Sequence, residues 1–266
     1  MNILIIGAGN MGTTYAKSLL ASHFATPGEM QLLIRSDAGR TRLPEIPDHN
    51  IFRAAGDFIH QADIIIVSVK PQDYGTVAPT LRPFIHPEQI VLSIMAGVSI
   101  STLHQSLGIP KLVRAMPNLP SQIGMGMTVF SCSPDLDRKE LFIIQNLLNT
   151  TGKAMYVDEE RLIDSATAVS GSGPAYVYYF MNAMIKAGVE LGFTPAQAEM
   201  LVNQTFMGSV HLQNQNTLSC EEWIRKVASK GGTTEAALKV FLDNQVEEDV
   251  KEAINSAFRR SQELGK

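Results

Sequence analysis

The chain has 266 residues, enough for one large domain or two of ordinary size around a real core, which excludes a disulfide-stapled miniprotein. Lys and Arg number 22 against 26 Asp and Glu, a formal charge of −4, so the surface is not built to hold a polyanion and no nucleic-acid partner is expected. Hydrophobic residues at 45% and charged residues at 18% exclude a disordered chain.

From residue 1 to about 158, short apolar runs alternate with amphipathic stretches, the pattern of parallel strands joined by crossover helices. The strand candidates are 3–6, 31–34, 64–69, 90–94, 112–115, 127–130 and 154–157, with helical patterns over 15–22, 101–107 and 141–148. The opening run Ile3-Leu4-Ile5-Ile6 is too short for a signal peptide and lacks its basic lead. No stretch reaches the ~18 apolar residues of a membrane span, so a soluble cytoplasmic protein with no membrane partner is expected.

Beyond about residue 158 the strand signal stops and helix-start chemistry takes over. Gly173-Pro174 puts proline at the first position of a helix over 175–191, where its missing N–H costs nothing. Thr194 with Gln197, and Ser219 with Glu222, both fit a capping box. A charged helix over 246–264 closes the chain. The expected architecture is an α/β Rossmann-type, doubly wound domain over 1–158 followed by an all-α domain over 159–266. Tyr176, Val177, Tyr179, Phe180, Met184 and Ile185 cover most of the circumference of their helix. Such a helix needs neighbours on every side, which predicts a homodimer, with a self-sufficient bundle as the alternative.

Gly7-Ala8-Gly9-Asn10-Met11-Gly12 reads G-x-G-x-x-G between a strand and a helix. Gly7 makes the tight turn, Gly9 lets backbone approach a pyrophosphate, and Gly12 lets the helix pack on the strand. Asn10 and Met11 open the helix whose free N–H groups would face the phosphates. At the end of the second strand, Arg35 and Ser36 stand where an NAD-binding chain places an acid, and together they suit a 2′-phosphate. NADPH is therefore expected ahead of NADH, with Asp37 as the acidic residue if Arg35 is merely solvated. Val69-Lys70-Pro71, Ala96-Gly97 and Asn118 follow three further strands, at the ligand-binding edge of an open sheet. In the helical half, 169–174 and 229–234 are glycine- and hydroxyl-rich segments ahead of helices, suited to a small anionic substrate.

Other features point away from chemistry. Cys132 and Cys220 lack metal or disulfide spacing and read as two buried thiols, while the histidines at 23, 49, 60, 86, 104 and 211 lack ligand spacing, so no metal is expected. Ser170-Gly171-Ser172-Gly173 is out of register for a nucleophile elbow. Lys186 and Trp223 read as a solvated lysine and a packing residue.

With GAGNMG, VKPQ, SIMAGV, VRAMPN, SGSGPAYVYYFMNAMIKAGVELG, the Gln204-Thr205 pair, SKGGTTEAAL and RRSQELG in place, the sequence resembles the pyrroline-5-carboxylate reductases along almost its whole length. The SGSGPAY and GGTT segments are the specific ones. The resemblance implies reduction of the cyclic imine L-1-pyrroline-5-carboxylate to L-proline with NADPH or NADH. It also implies an interlocked homodimer that assembles further into rings such as a decamer. It places Lys70, Pro71, Ala96, Gly97 and Asn118 along the nicotinamide. It gives Thr167, Ser229, Gly231, Gly232, Thr233 and Thr234 to the substrate, with the Thr234 hydroxyl on the imine nitrogen. The chain departs from the family pattern at Thr217, where an acid is usual, at Ser219-Cys220, where His-Pro is usual, and at Leu119, where threonine is common. Two further readings stay open: another small imine or keto-acid reductase, and a non-catalytic dinucleotide-binding protein.

Overall fold

A computed structural model describes residues 1–264, apart from the side chains of Asp37 and Ala38. Its strands are β1 (Ile3–Ile6), β2 (Met30–Leu33), β3 (Ile51–Phe52), β4 (Ile64–Val67), β5 (Ile90–Ser93), β6 (Leu112–Met116), β7 (Gly126–Cys132) and β8 (Gly152–Tyr156). They form one sheet in the order β3-β2-β1-β4-β5-β6-β7-β8. Strands β1 to β6 pair in parallel, with Ile3 beside both Met30 and Ile64. The order reverses between β1 and β4, and a crevice opens at such a switch point.

These segments are strands because β-branched residues fit a pleated surface that is covered on both sides. Along β1 and β4, alternate residues serve opposite cores. Ile3, Ile5, Ile64 and Ile66 meet Tyr15 and Leu19 of α1 (Asn10–Ala21), in a cluster with Ile144 and Leu148 of α5 (Arg138–Asn149). Leu4, Ile6, Ile65 and Val67 meet Tyr74 and Leu81 of α3 (Pro71–Leu81), with Leu103 and Leu107 of α4 (Ile100–Leu107). Each fully buried Ile or Leu contributes roughly 1.5–3 kcal/mol, so these two layers hold the sheet rigid beneath its loops.

One strand departs from the all-parallel expectation. Strand β7 runs antiparallel to β6, with Val113 beside Cys132 and Met116 beside Val129. The connection over 117–125 is shorter than the dozen or so residues a parallel crossover requires. Strand β3 has two residues and no readable periodicity. The helix α3, which carries Pro79 inside it, and the short α2 (Asp37–Thr41) also lie outside the sequence reading.

The chain divides into two compact units, Met1–Pro174 together with the chain from Ala257, and Ala175–Ser256. In the first, α6 (Leu162–Ala166) and a π-helical turn (Thr167–Gly171) join the sheet's side of the division, fastened through Arg114 of β6 to Glu160 and Asp164. The chain is therefore already helical when it reaches α7 (Gly173–Glu190), and Pro174 does not start a helix from coil.

The second unit consists of α7, α8 (Pro195–Asn214), α9 (Cys220–Val227), α10 (Thr233–Asp243) and the first turns of α11 (Val246–Leu264). Both capping boxes form: Gln197 accepts the Thr194 N–H at 3.0 Å and Glu222 accepts that of Ser219 at 2.7 Å. The thiols depart from expectation, because Cys132 is half-buried and Cys220 is exposed at the first position of α9. Among the described residues no helix is long and apolar enough to cross a membrane.

Candidate active site

The glycine loop is built as its residue types require. Gly7 has φ +93°, and a Cβ there would lie 2.8 Å from the Ser68 carbonyl oxygen. A Cβ on Gly12 would lie 2.0 Å from the Gly7 oxygen, so α1 can reach β1 only with glycine at that point. Gly9 is the N-cap of α1 and offers no side chain, while the hydroxyls of Thr13 and Thr14 turn back to the carbonyls of Ala8 and Asn10. The first-turn N–H groups are thus left to an anion.

A cleft of about 890 Å³ opens where β1, β2 and β4 end, and it brings together Gly7, Gly9, Arg35, Ser36, Val69 and Lys70. Ser36 is the N-cap of α2, but its side chain makes no capping bond. Arg35 stands with 89% of its side chain exposed, and its Nη1 lies 3.8 Å from Asp73 Oδ2 on the first turn of α3. Arg42 and Arg53 line the same cleft. Sequence reasoning missed both: Arg53 follows the two-residue β3, and Arg42 follows the five-residue α2. The Asp37 side chain lies outside the described residues.

The remaining cofactor candidates take other places. Asn10 lines a second cleft, of about 680 Å³, on the flank of α1 with Lys17 and Ser121. Met11 packs partly buried on the core, and Gly12 is buried in the first turn of α1. Lys70 and Pro71 are the N-cap and first residue of α3. Ala96 and Gly97 form the loop after β5, where Gly97 has φ +76°. Asn118 lies beyond β6, and its amide is occupied: Nδ2 donates to the Ser170 carbonyl at 3.1 Å, and Oδ1 accepts the Met127 N–H at 2.9 Å. Its side chain pins the loop after β6 to the π-turn, where Thr167 donates its hydroxyl to the Ile163 carbonyl at 2.8 Å. A π-turn inside a helical run frequently marks a functional position.

In the second unit, Ser229, Gly231, Gly232, Thr233 and Thr234 form one connected turn at the start of α10. Gly231 has φ +76°, Gly232 is the N-cap without a side-chain cap, and a Cβ on Gly232 would lie 2.7 Å from Ser229 Oγ. The first N–H groups of α10 carry the positive end of the helix and no intrahelical partner. Sequence reasoning missed Glu235, whose Oε2 accepts the Gly231 N–H at 2.7 Å and fixes the turn from within.

Comparison with known proteins places this arrangement. Residues 160–264 match the family model for pyrroline-5-carboxylate reductase dimerisation, and residues 2–97 match that for NADP oxidoreductase, coenzyme F420-dependent. The pyrroline-5-carboxylate reductase of Pseudomonas aeruginosa is 36% identical over 98% of this chain and 96% of its own length. The chain belongs to the pyrroline-5-carboxylate reductase family. Among solved structures of that family, the Coxiella burnetii reductase superposes with a TM-score of 0.89 at 29% identity, covering 100% of this chain and 98% of its own. The Plasmodium falciparum pyrroline carboxylate reductase, solved with NADP bound, gives 0.88 at 25% identity with the same coverage. The helical half therefore carries the family's dimerisation domain, and the chain is a homo-oligomer.

For a member of this reductase family, the chemistry of the two groups is complementary. The glycine loop, the free start of α1 and the arginines around the cleft suit a dinucleotide with an extra phosphate. The turn at α10 offers backbone N–H groups and hydroxyls, which orient a small carboxylate. Glu235, a carboxylate beside that turn, is spent on backbone.

Proposed function

We propose that this protein reduces L-1-pyrroline-5-carboxylate to L-proline, with NADPH preferred over NADH. The observation that carries the reading is the presence, in one chain of this family, of both the NADP-suited cleft and the intact Gly231-Gly232-Thr233-Thr234 turn. Gly7 and Gly9, with the backbone N–H groups of Asn10 and Met11, hold the pyrophosphate while Gly12 lets α1 approach β1, and Arg35 and Ser36 take the 2′-phosphate. Val69, Lys70, Pro71, Ala96, Gly97 and Asn118 bound the nicotinamide, Asn118 through the backbone it pins. When bound, the cofactor supplies a hydride. Ser229, Gly231, Gly232 and Thr233 orient the substrate carboxylate and ring together with Thr167, and Thr234 holds the ring nitrogen through its hydroxyl. A protonated C=N is already electrophilic, so orientation suffices, and it contributes up to about 7–11 kcal/mol in well-aligned systems. A carbonyl substrate would instead require a proton donor of matched pKa.

Residues 1–158 then act as the dinucleotide-binding domain and 159–266 as the substrate-binding and dimerisation domain, with dimers assembled into a larger ring such as a decamer, in the cytoplasm. The direct test is loss of reduced-nicotinamide absorbance on adding pyrroline-5-carboxylate, with NADPH and NADH in parallel. Turnover that prefers NADPH is expected; NADPH binding without turnover would remove the activity. Thr234→Ala is expected to lower kcat/KM about 10- to 100-fold, the loss of a hydrogen bond to a charged group, with the NADPH dissociation constant unchanged.

A further inference from the structure

Arg114 is buried in β6 with 4% of its surface exposed, although it carries a full charge. Its Nη1 donates to Glu160 Oε1 at 3.1 Å and its Nη2 to Asp164 Oδ1 at 2.5 Å. Burying a guanidinium between two half-buried carboxylates is weak evidence for stability, since an apolar side chain would pack in the strand at less cost. Both carboxylates, however, have a second task. Glu160 Oε1 also accepts the N–H of Ile100 at 2.8 Å, the first residue of α4. It thereby fixes where the loop between β5 and α4 ends. Asp164 Oδ1 also accepts from the hydroxyl of Ser261 at 3.4 Å, and Ser261 is a buried residue of α11. Less than one turn further on, α11 reaches that same loop: a Cβ on Gly97 would lie 2.9 Å from the carbonyl carbon and oxygen of Leu264. The loop that carries Ala96 and Gly97 is held at its far end by Glu160 and covered at its glycine by the end of α11. One guanidinium ties the two together.

We propose that Arg114 is a positioning residue for the reaction, acting through Glu160 and through Asp164 and Ser261 to set the backbone at Gly97. The inference rests on the reading that Ala96 and Gly97 bound the nicotinamide. Arg114 touches neither cofactor nor substrate; its effect is on the alignment of the hydride donor, and a misplacement of about 1 Å is enough to cost about 100-fold in rate. This explains the charge in a position where packing alone would favour an apolar residue. It also explains why the last helix of the chain returns to the first unit.

The test uses the full-length protein and three variants, Ser261→Ala, Asp164→Asn and Arg114→Lys. Ser261→Ala removes only one hydroxyl and keeps the proposal testable if the Arg114 and Asp164 variants fold poorly. Amide hydrogen exchange is read at residues 95–100, together with the NADPH dissociation constant, kcat, and the isotope effect on kcat with NADPH deuterated at the transferred position. Exchange at 95–100 is expected to speed up in all three. Ser261→Ala should lower kcat about 3- to 10-fold and Arg114→Lys about 10- to 100-fold, with a larger isotope effect and NADPH affinity within about twofold. A lower kcat with unchanged exchange at 95–100 and an unchanged isotope effect would reduce the network to a structural brace and overturn the proposal. Wild-type protein that is inactive on pyrroline-5-carboxylate would instead overturn the proposed substrate. In that case the exchange readout alone still decides whether Ser261 and Arg114 set the loop.

Discussion

Arg35 and Glu235 show how single side chains near the two proposed subsites can be separated experimentally. The Arg35–Asp73 pair is long, at 3.8 Å, and Arg35 is almost fully in water, so the pair holds the guanidinium only weakly and leaves it available to a phosphate. Arg35→Gln should raise KM for NADPH about 10- to 100-fold, as one charge-assisted contact is lost, and leave KM for NADH within about twofold. Equal losses with both cofactors would move the 2′-phosphate to Arg42 or Arg53. Glu235 acts differently, because its carboxylate accepts the N–H of Gly231, the residue with φ +76°. Glu235→Ala should loosen that turn and raise KM for the imine about 2- to 10-fold with kcat nearly unchanged, as expected for a group that shapes binding without touching the reacting atoms. A fall in kcat at unchanged KM would place Glu235 in the chemical step.

At the scale of elements, Ser219 and Glu222 form a reciprocal cap at the start of α9. The Ser219 N–H, then its hydroxyl, hold the Glu222 carboxyl below the ordinary carboxylate range. A depressed folded pKa contributes stability that is present above the unfolded value and is lost as pH falls through the folded one. Ser219→Ala should therefore move the Glu222 titration upward in an NMR pH series and advance the fraying of α9 to higher pH; an unmoved midpoint would discount the cap. That cap was legible because it needs only a hydroxyl and a carboxylate three residues apart. The inner strands were legible for an equally local reason: a strand buried on both faces, such as Ile64–Val67, must be apolar at every position. Strand direction is not local. The antiparallel β7 follows from the length of the 117–125 connection, which no apolar pattern records. The site divides the same way. The glycine loop announces itself through residue types that tolerate no Cβ, whereas Arg53 is placed by a two-residue strand. Asn118 is found by its position after β6, but the destination of its amide, the Ser170 carbonyl in the π-turn, depends on tertiary contact.

At the scale of the whole molecule, the helical unit lacks a core of its own. Between Ala175 and Ser256 the buried apolar residues are Ala198 and Val202, while Tyr179 is 71% and Leu191 83% exposed. A helix such as α7, apolar on most sides, is stable in water only when covered, and each covered aromatic removes roughly 150–250 Å² from solvent. The family's dimerisation domain spans this region, so a second copy is the expected cover. Folding and association are then one equilibrium, because the monomer leaves too much apolar area wet to hold its helices. The melting temperature should consequently fall as the protein is diluted, and sedimentation should give a mass at an even multiple of the chain. Replacing Tyr179 and Leu191 together by Glu puts two charges where apolar contact is required. The pair should shift the protein to monomer and lower helical content, with the strand signal of the first unit retained. A wild-type monomer whose melting temperature is independent of concentration would show that the helices find their cover within one chain, and α7 would then have to be reassigned from interface to internal packing.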